Sequence, residues 1–138
     1  MLVDDKFLNR ICRKAKESPR LRTNYNLHDT LDAKAQRLFN ALEPRTEIPI
    51  HRHRHTSETY ILLRGRLDVL FHNDSGEITE RLALDPAAGR YGVHIPAGQW
   101  HSLEVIDSSV IFEVKDGPYT PLLPEDILEF SNEVDVKG

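Results

Sequence analysis

Three histidines alternate in the segment Pro49-Ile50-His51-Arg52-His53-Arg54-His55. Alternate positions on a β-strand face one way, so His51, His53 and His55 would project together, with Arg52 and Arg54 on the opposite side. Neighbouring imidazoles suit one borderline divalent transition metal such as Zn, Fe, Mn or Ni. The same stretch also fits a basic surface run or a nucleic-acid patch, so spacing alone does not decide. Glu58 follows five residues after His53, and His101 ends the turn-forming segment Pro96-Ala97-Gly98-Gln99-Trp100-His101. Pairing of distant strands in a small barrel would gather three imidazoles and one carboxylate. Such a set leaves positions open for water or substrate, as a catalytic metal site requires.

The elements that must position these groups are short. Apolar residues at Leu2, Val3, Phe7, Leu8, Ile11, Cys12 and Ala15 have helical spacing, and Ser18-Pro19 ends the pattern. Arg20 to Asp32 is polar and reads as irregular, with Asn24 and Asn26 as turn-formers. Strands are expected at Thr59–Leu63, Leu67–Phe71, Ile78–Leu84, Tyr91–Ile95, Ser102–Ile106 and Val110–Val114, because each run is β-branched or aromatic and bounded by turn residues. Leu38–Leu42 suits a helix by propensity, yet it leads directly into Ile48-Pro49-Ile50 and reads as a strand. Glu125–Phe130 reads as one short helix. Many short strands at this spacing predict an all-β chain with a single jelly-roll β-barrel over 35–117. An N-terminal helix and irregular arm precede it at 1–34, and a short C-terminal extension at 118–138 packs on it.

Composition narrows the partners. Net charge is −4, from 22 acidic and 18 basic residues, which argues against a polyanion-tracking surface. Arg52, Arg54, Arg64 and Arg66 therefore read as solvated strand faces rather than a nucleic-acid patch. Cys12 is the single cysteine, so no intrachain disulfide can form, and its place on the helical stripe makes it core. Charges enter the N-terminal segment too early for a secretory leader, and no apolar run is long enough to span a bilayer. These features predict a cytoplasmic protein with a small-molecule ligand and neither nucleic acid nor membrane as partner.

The motif spacing carries a resemblance. His51-x-His53, four residues, Glu58, six residues and Gly65 resemble the first motif of the cupin superfamily, and Pro96-x-Gly98-x-x-His101 resembles the second. Asn26-Leu27-His28, Gln36-Arg37-Leu38, Asn40-Ala41-Leu42-Glu43-Pro44, Leu63-Arg64-Gly65-Arg66-Leu67 and Phe112-Glu113-Val114-Lys115 extend it to the WbuC-type cupin fold metalloproteins, over roughly Asn24 to Tyr119. The resemblance implies a cupin jelly-roll with one metal held inside by His51, His53 and His101, and Glu58 as fourth ligand or candidate base. It also implies a link to surface-polysaccharide synthesis. His53-x-His55 leaves only two residues before Glu58, shorter than the motif, so His55 drops to the rim. Three positions depart from the pattern: Arg90 and Arg45 stand where glycine is usual, and Val105 where asparagine is.

Around such a site, Tyr60, Gln99, Trp100, Glu113 and Lys115 are the candidate pocket contacts to an anionic or hydroxylated ligand, although Tyr60 and Trp100 equally suit core packing. His28 and His94 read as structural or at the pocket mouth, and His72 as solvent-facing. The functional expectation is a metal-dependent isomerase, epimerase or lyase acting on a sugar or nucleotide-sugar. The alternatives are a non-catalytic sensor or carrier, an Fe-dependent dioxygenase, and a purely structural barrel. Barrels of this class pair their outer sheets, so a homodimer is expected. Elemental analysis of chelator-free protein should find near one transition metal per chain, and the double variant His51→Ala/His101→Ala should bind none; a double variant that kept its metal would sink the assignment. Because a ligating imidazole must be neutral, occupancy is expected to fall as pH drops through about 6.5.

Overall fold

The computed structural model describes residues 1–128. In chain order the elements are α1 (Asp5–Glu17), β1 (Arg22–Asn26), β2 (Ala35–Leu42), β3 (Ile50–His51), β4 (Glu58–His72), β5 (Ile78–Leu84), β6 (Gly92–Ile95), β7 (Trp100–Asp116) and β8 (Ile127–Leu128). The two longest strands organise the rest. β4 and β7 run antiparallel from Glu58↔Lys115 to His72↔Trp100. The first half of β4 also pairs with β6, and the matching half of β7 continues to β2 and β1. The second half of β4 pairs with β5, while the matching half of β7 passes to β3 and then β8. Two β layers thus face each other across Leu42, Tyr60, Leu62, Leu67, Val69, Leu84, Ile95 and Ile111. This is the expected β-rich jelly-roll, with one N-terminal helix and a sheet that stays open rather than closing into a ring.

The change of layer happens inside the strands, at Gly65. Its φ is +98°, and a Cβ there would collide with Ser109 Oγ and the Ser108 carbonyl oxygen. Only glycine lets β4 cross β7 this closely. The ladder shifts register at three points between Leu62 and Leu67, which bends both strands without ending them. TYILL and LDVLF, expected as two strands, are consequently one, and so are SLEVI and VIFEV. Turn residues here produce a bend because the partner strand remains paired on either side.

Helix α1 covers the outer face of the first layer. Asp4 caps it by accepting a hydrogen bond from Phe7 N at 3.0 Å, and Lys14 and Lys16 lie in the last turn. Phe7, Leu8, Ile11, Cys12 and Ala15 pack on Phe39, Ala41 and Val110, and burying each large side chain stabilises by about 1.5–3 kcal/mol. Cys12 is core, as its position on the stripe implied. No described helix is long and apolar enough to cross a membrane.

Three expectations need correction. Arg20–Asp32 contains an edge strand, β1, with Asn24 opposite Asn40 and Asn26 opposite Leu38. Pairing with β2 overrides local composition, so the asparagines are strand residues rather than turn-formers. In the tail, Pro124–Asp126 makes a single 3-10 turn and Ile127–Leu128 a strand against β3, where a helix was expected; Glu129 and Phe130 lie outside the described residues. His72 is buried rather than solvent-facing, with Nε2 2.8 Å from Ser102 Oγ and Nδ1 3.0 Å from the Gly76 carbonyl. Leu38–Leu42 is strand, as read from its continuation. Because glycine is required at the crossing, Gly65→Ala should destabilise the fold by about 2–4 kcal/mol, read as a lowered denaturant midpoint; an unchanged midpoint would mean the strands can separate at Ser109 without cost.

Candidate metal centre

Strand β3 brings the first ligand to the second motif. His51 pairs directly with His101, and their ring centroids stand 4.3 Å apart. The strand ends there. The alternation expected through His55 therefore stops after His51, and His53 reaches the centre from a loop. That loop is pinned by Gly98 N, which donates to the His53 carbonyl at 2.8 Å, so the Pro96–Gly98 turn fixes both motifs to each other. Glu58, the first residue of β4, enters from the opposite layer. His55 is exposed and lies outside the cluster.

Ligand atoms of His51, His53, Glu58 and His101 all lie within 4.8 Å of one another. The tautomers are set by the backbone. Nδ1 of His51 lies 2.9 Å from the Pro49 carbonyl, and Nδ1 of His101 lies 2.9 Å from that of Gln99. A carbonyl only accepts, so each Nδ1 carries the proton and each Nε2 keeps its lone pair. Glu58 and His101 are each 1% exposed. His53 Nε2 stands 2.7 Å from Glu58 Oε1 and His101 Nε2 4.0 Å from it, while Glu58 Oε2 and His101 Nε2 lack a hydrogen-bond partner. Buried lone pairs left unmatched are costly. One divalent cation would satisfy them together, and three nitrogens with one oxygen form a donor set that suits a transition metal.

Electrostatics hold the groups in the ligating state. Burial, reinforced by His101 and His53 and opposed by the Pro49 hydrogen bond and Glu58, pushes His51 down to about 4. Burial also lowers His101, against the pull of Glu58. Burial alone would raise Glu58, but the hydrogen-bonding and charge effects of His53, then His101 and Lys115, bring it to about 2. At neutral pH the His51 and His101 imidazoles are neutral and the carboxylate is ionised.

A cavity of about 300 Å³ opens from this cluster between the layers, and Asn24, Asn40, Tyr60, Glu113, Lys115 and Leu122 are in its wall. Asn40 Nδ2 donates to Glu113 Oε1 at 2.8 Å, and Lys115 Nζ lies 3.6 Å from Oε2. Burial, then the charge of Glu58, raises Glu113 to about 7 in spite of Lys115 and Asn40. Burial, then Glu113 and Glu58, also raises Tyr60 well above its ordinary value, so it stays an O–H donor. Gln99 and Trp100 lie elsewhere. Gln99 donates to the His72 and Trp100 carbonyls, and the indole donates to Asp74 Oδ1 at 3.0 Å.

The arginines between the histidines are not free strand faces. Arg52 Nε and Arg54 Nη2 bind Asp126 Oδ1 at 3.1 and 2.9 Å, Arg52 N donates to the Asp126 carbonyl, and the Arg52 guanidinium lies 4.4 Å from the Trp100 ring centre. They clamp the C-terminal segment, whose Leu122 forms part of the cavity wall. Arg64 and Arg66 also have acidic partners, Asp5 and Asp107. His28 Nδ1 accepts from Arg37 N at 3.2 Å, and exposed His94 lies 3.2 Å from Thr59 Oγ1. Sequence reasoning missed Arg20, Arg22 and Asn40 as cavity residues and read Asn24 as a turn. The one available signal was the N-x-N spacing of Asn24 and Asn26, which has no meaning until β1 is paired.

A family model described as "Domain of unknown function (DUF6016)" matches residues 3–84. That span holds His51, His53 and Glu58 and stops short of His101. No curated protein matches the chain. Among solved structures, the chain is similar to a Schizosaccharomyces pombe Cnp3 cupin domain, at TM-score 0.56 and 11% identity over 69% of this chain and 64% of that one. It is also similar to a cupin-2 domain containing protein from Shewanella frigidimarina, at TM-score 0.52 and 17% identity over 69% and 80%. A third likeness is to the DMSP lyase DddQ from Ruegeria pomeroyi, at TM-score 0.59 and 18% identity over 76% and 52%. This chain thus spans less than two thirds of the first and third of these structures. The likenesses show the fold: the chain is a cupin jelly-roll.

The low His51 value places the expected loss of metal at a lower pH than the free imidazole would. Protons compete only when they can enter the folded site, so metal should remain at pH 5.5 and be released as pH approaches about 4. Metal per chain after dialysis at stepped pH measures this; half-release near 6.5 would mean that burial does not protect His51.

Proposed function

The chain belongs to a family described as a domain of unknown function, DUF6016, and from the site itself we propose that it is a metal-dependent enzyme acting on a small polar substrate. The observation that carries this reading is the juxtaposition of a buried ligand set, with Glu58 Oε2 and His101 Nε2 unpartnered, and a protonatable carboxyl lining the same cavity. His51, His53, His101 and Glu58 would hold the metal, which supplies Lewis acidity to a substrate oxygen. Glu113 then serves as the proton acceptor and donor that an isomerase, epimerase or lyase needs. A carboxyl near 7 can exist in either protonation state at neutral pH, the condition under which general acid–base transfer is most effective. Asn40 fixes Oε1 and leaves Oε2 toward Lys115, while Tyr60 offers an O–H to a substrate oxygen.

Sugars and nucleotide-sugars are the substrate classes we put forward, supported by the polar lining and by the resemblance to WbuC-type cupins. A sensor or carrier would use the same metal and cavity but would not need a titrating Glu113. The two readings separate on one variant. With the metal-loaded chain assayed against a panel of sugars and nucleotide-sugars in D₂O, Glu113→Gln should lower kcat about a hundredfold or more and abolish solvent deuterium uptake, with metal content unchanged. Ligand-induced thermal stabilisation without turnover of any panel member would overturn the enzyme and favour the sensor.

A further inference from the structure

We infer that the outer end of the metal cavity is an anion subsite, in which Arg20 and Arg22 receive a carboxylate or phosphate group of the substrate while its other end reaches the metal centre. The inference rests on the metal reading for what lies at the inner end. Arg20 and Arg22 line the cavity of about 300 Å³ that contains His51, His53 and Glu58. Together with Arg45 they also line an adjoining concavity of about 390 Å³, so Arg20 and Arg22 border both spaces. Among the described residues, none of these three arginines has a carboxylate within salt-bridge distance, whereas Arg52, Arg54, Arg64, Arg66 and Arg81 each do. Glu47 borders the outer concavity without pairing to any of them.

The arginines are held there by the backbone. Leu21, between Arg20 and Arg22, has φ +57°, and Arg45 has φ +74°. Both are non-glycine residues in the left-handed region, a conformation that persists only where its surroundings impose it. Thr46 Oγ1 donates to the Arg20 carbonyl at 2.7 Å, Glu43 N donates to the Leu21 carbonyl at 3.0 Å, and Arg22 Nη1 donates to the Glu47 carbonyl at 2.9 Å. Two loops are thereby tied together, with Arg20 close enough to act on the charge of Arg22. Like charges held close without a counter-ion repel each other, and burial together with Arg20 draws Arg22 below its ordinary value. An anionic group relieves that repulsion, and guanidinium forks match carboxylate and phosphate oxygens in pairs. Lys115, in the same cavity, is already engaged by Glu113.

Calorimetric titration of the full, zinc-loaded chain with inorganic phosphate and with malonate tests the subsite, with erythritol as a neutral probe and Arg81→Gln as a control. One saturable anion site is expected, with Kd raised about tenfold or more in Arg20→Gln and in Arg22→Gln, and unaltered in Arg81→Gln. The tighter of the two anions identifies the group. Should Arg22→Gln fail to fold, Arg20→Gln still decides, because the Arg20 guanidinium holds no hydrogen bond among the described residues. Equal affinity in wild type and Arg20→Gln, no saturable binding of either anion, or equal binding of erythritol would overturn the inference. Repeating the titration on chelator-stripped protein separates it from the metal reading: the arginine effect persists without metal, whereas anion binding that vanishes with the metal places the anion on the metal and overturns the subsite. A chain that takes up no zinc defeats the metal reading alone.

Discussion

The antiparallel ladder between β4 and β7 is the constraint from which the rest of the molecule follows. It is long enough to belong to both layers, and Gly65 lets it bend where the layers diverge. Below the bend it aligns Phe71 with His101, which in turn faces His51. Above the bend it aligns Glu58 with Lys115 and Tyr60 with Glu113. The metal centre therefore lies between two halves of one continuous strand pair. A shift of one residue in that register would turn Glu58, Tyr60 and Glu113 to the face covered by α1.

Placing so many polar groups inside is costly, and the structure offsets the cost elsewhere. The apolar core between the layers and the stripe of α1 on Phe39, Ala41 and Val110 supply the stabilisation. The buried groups do not share one dependence on pH. His51, depressed to about 4, contributes stability that is present above about 6.5 and lost as pH falls toward 4. Glu58, depressed to about 2, loses its contribution as pH falls from about 4.5 to 2. Glu113, raised to about 7, acts in the other direction and costs stability as pH rises from about 4.5 to 7. Between about pH 4.5 and 6.5 the contributions of His51 and Glu113 have opposite signs.

The segment Pro49–His55 performs two tasks. His51 and His53 turn to the metal centre while His55 stays exposed, and the arginines turn to Asp126. Burial would raise the Asp126 carboxyl, but hydrogen bonds from Arg52 and Arg54 hold it below its ordinary range. Through this clamp the C-terminal segment is set against β3, with Leu122 at the cavity wall. The first strand of the site and the cover of its cavity are positioned by adjacent residues.

Much of this was legible in the chain itself. Turn residues and β-branched runs located most strands, and the helical stripe located α1 with Cys12 inside it. Residue type and spacing offered His51, His53, His55, Glu58 and His101, and the resemblance to the cupin motifs narrowed these to His51, His53, Glu58 and His101, the four residues the structure brings together. What composition could not convey was anything that depends on a distant partner. β1 is polar and becomes a strand only through β2. Arg64-Gly65-Arg66 reads as a turn and becomes a bend because β7 stays paired through it. His72 reads as a loop histidine and is buried by Ser102. Gln99 and Trp100 adjoin His101 in sequence but point away from the cavity, while Asn40 and Glu113, which are 73 residues apart, meet within it. Local sequence determined the chemistry available and the elements that carry it. Tertiary structure alone decided which groups share a cavity and what protonation state each holds, since burial and neighbouring charge exist only once strands from opposite ends of the chain are paired.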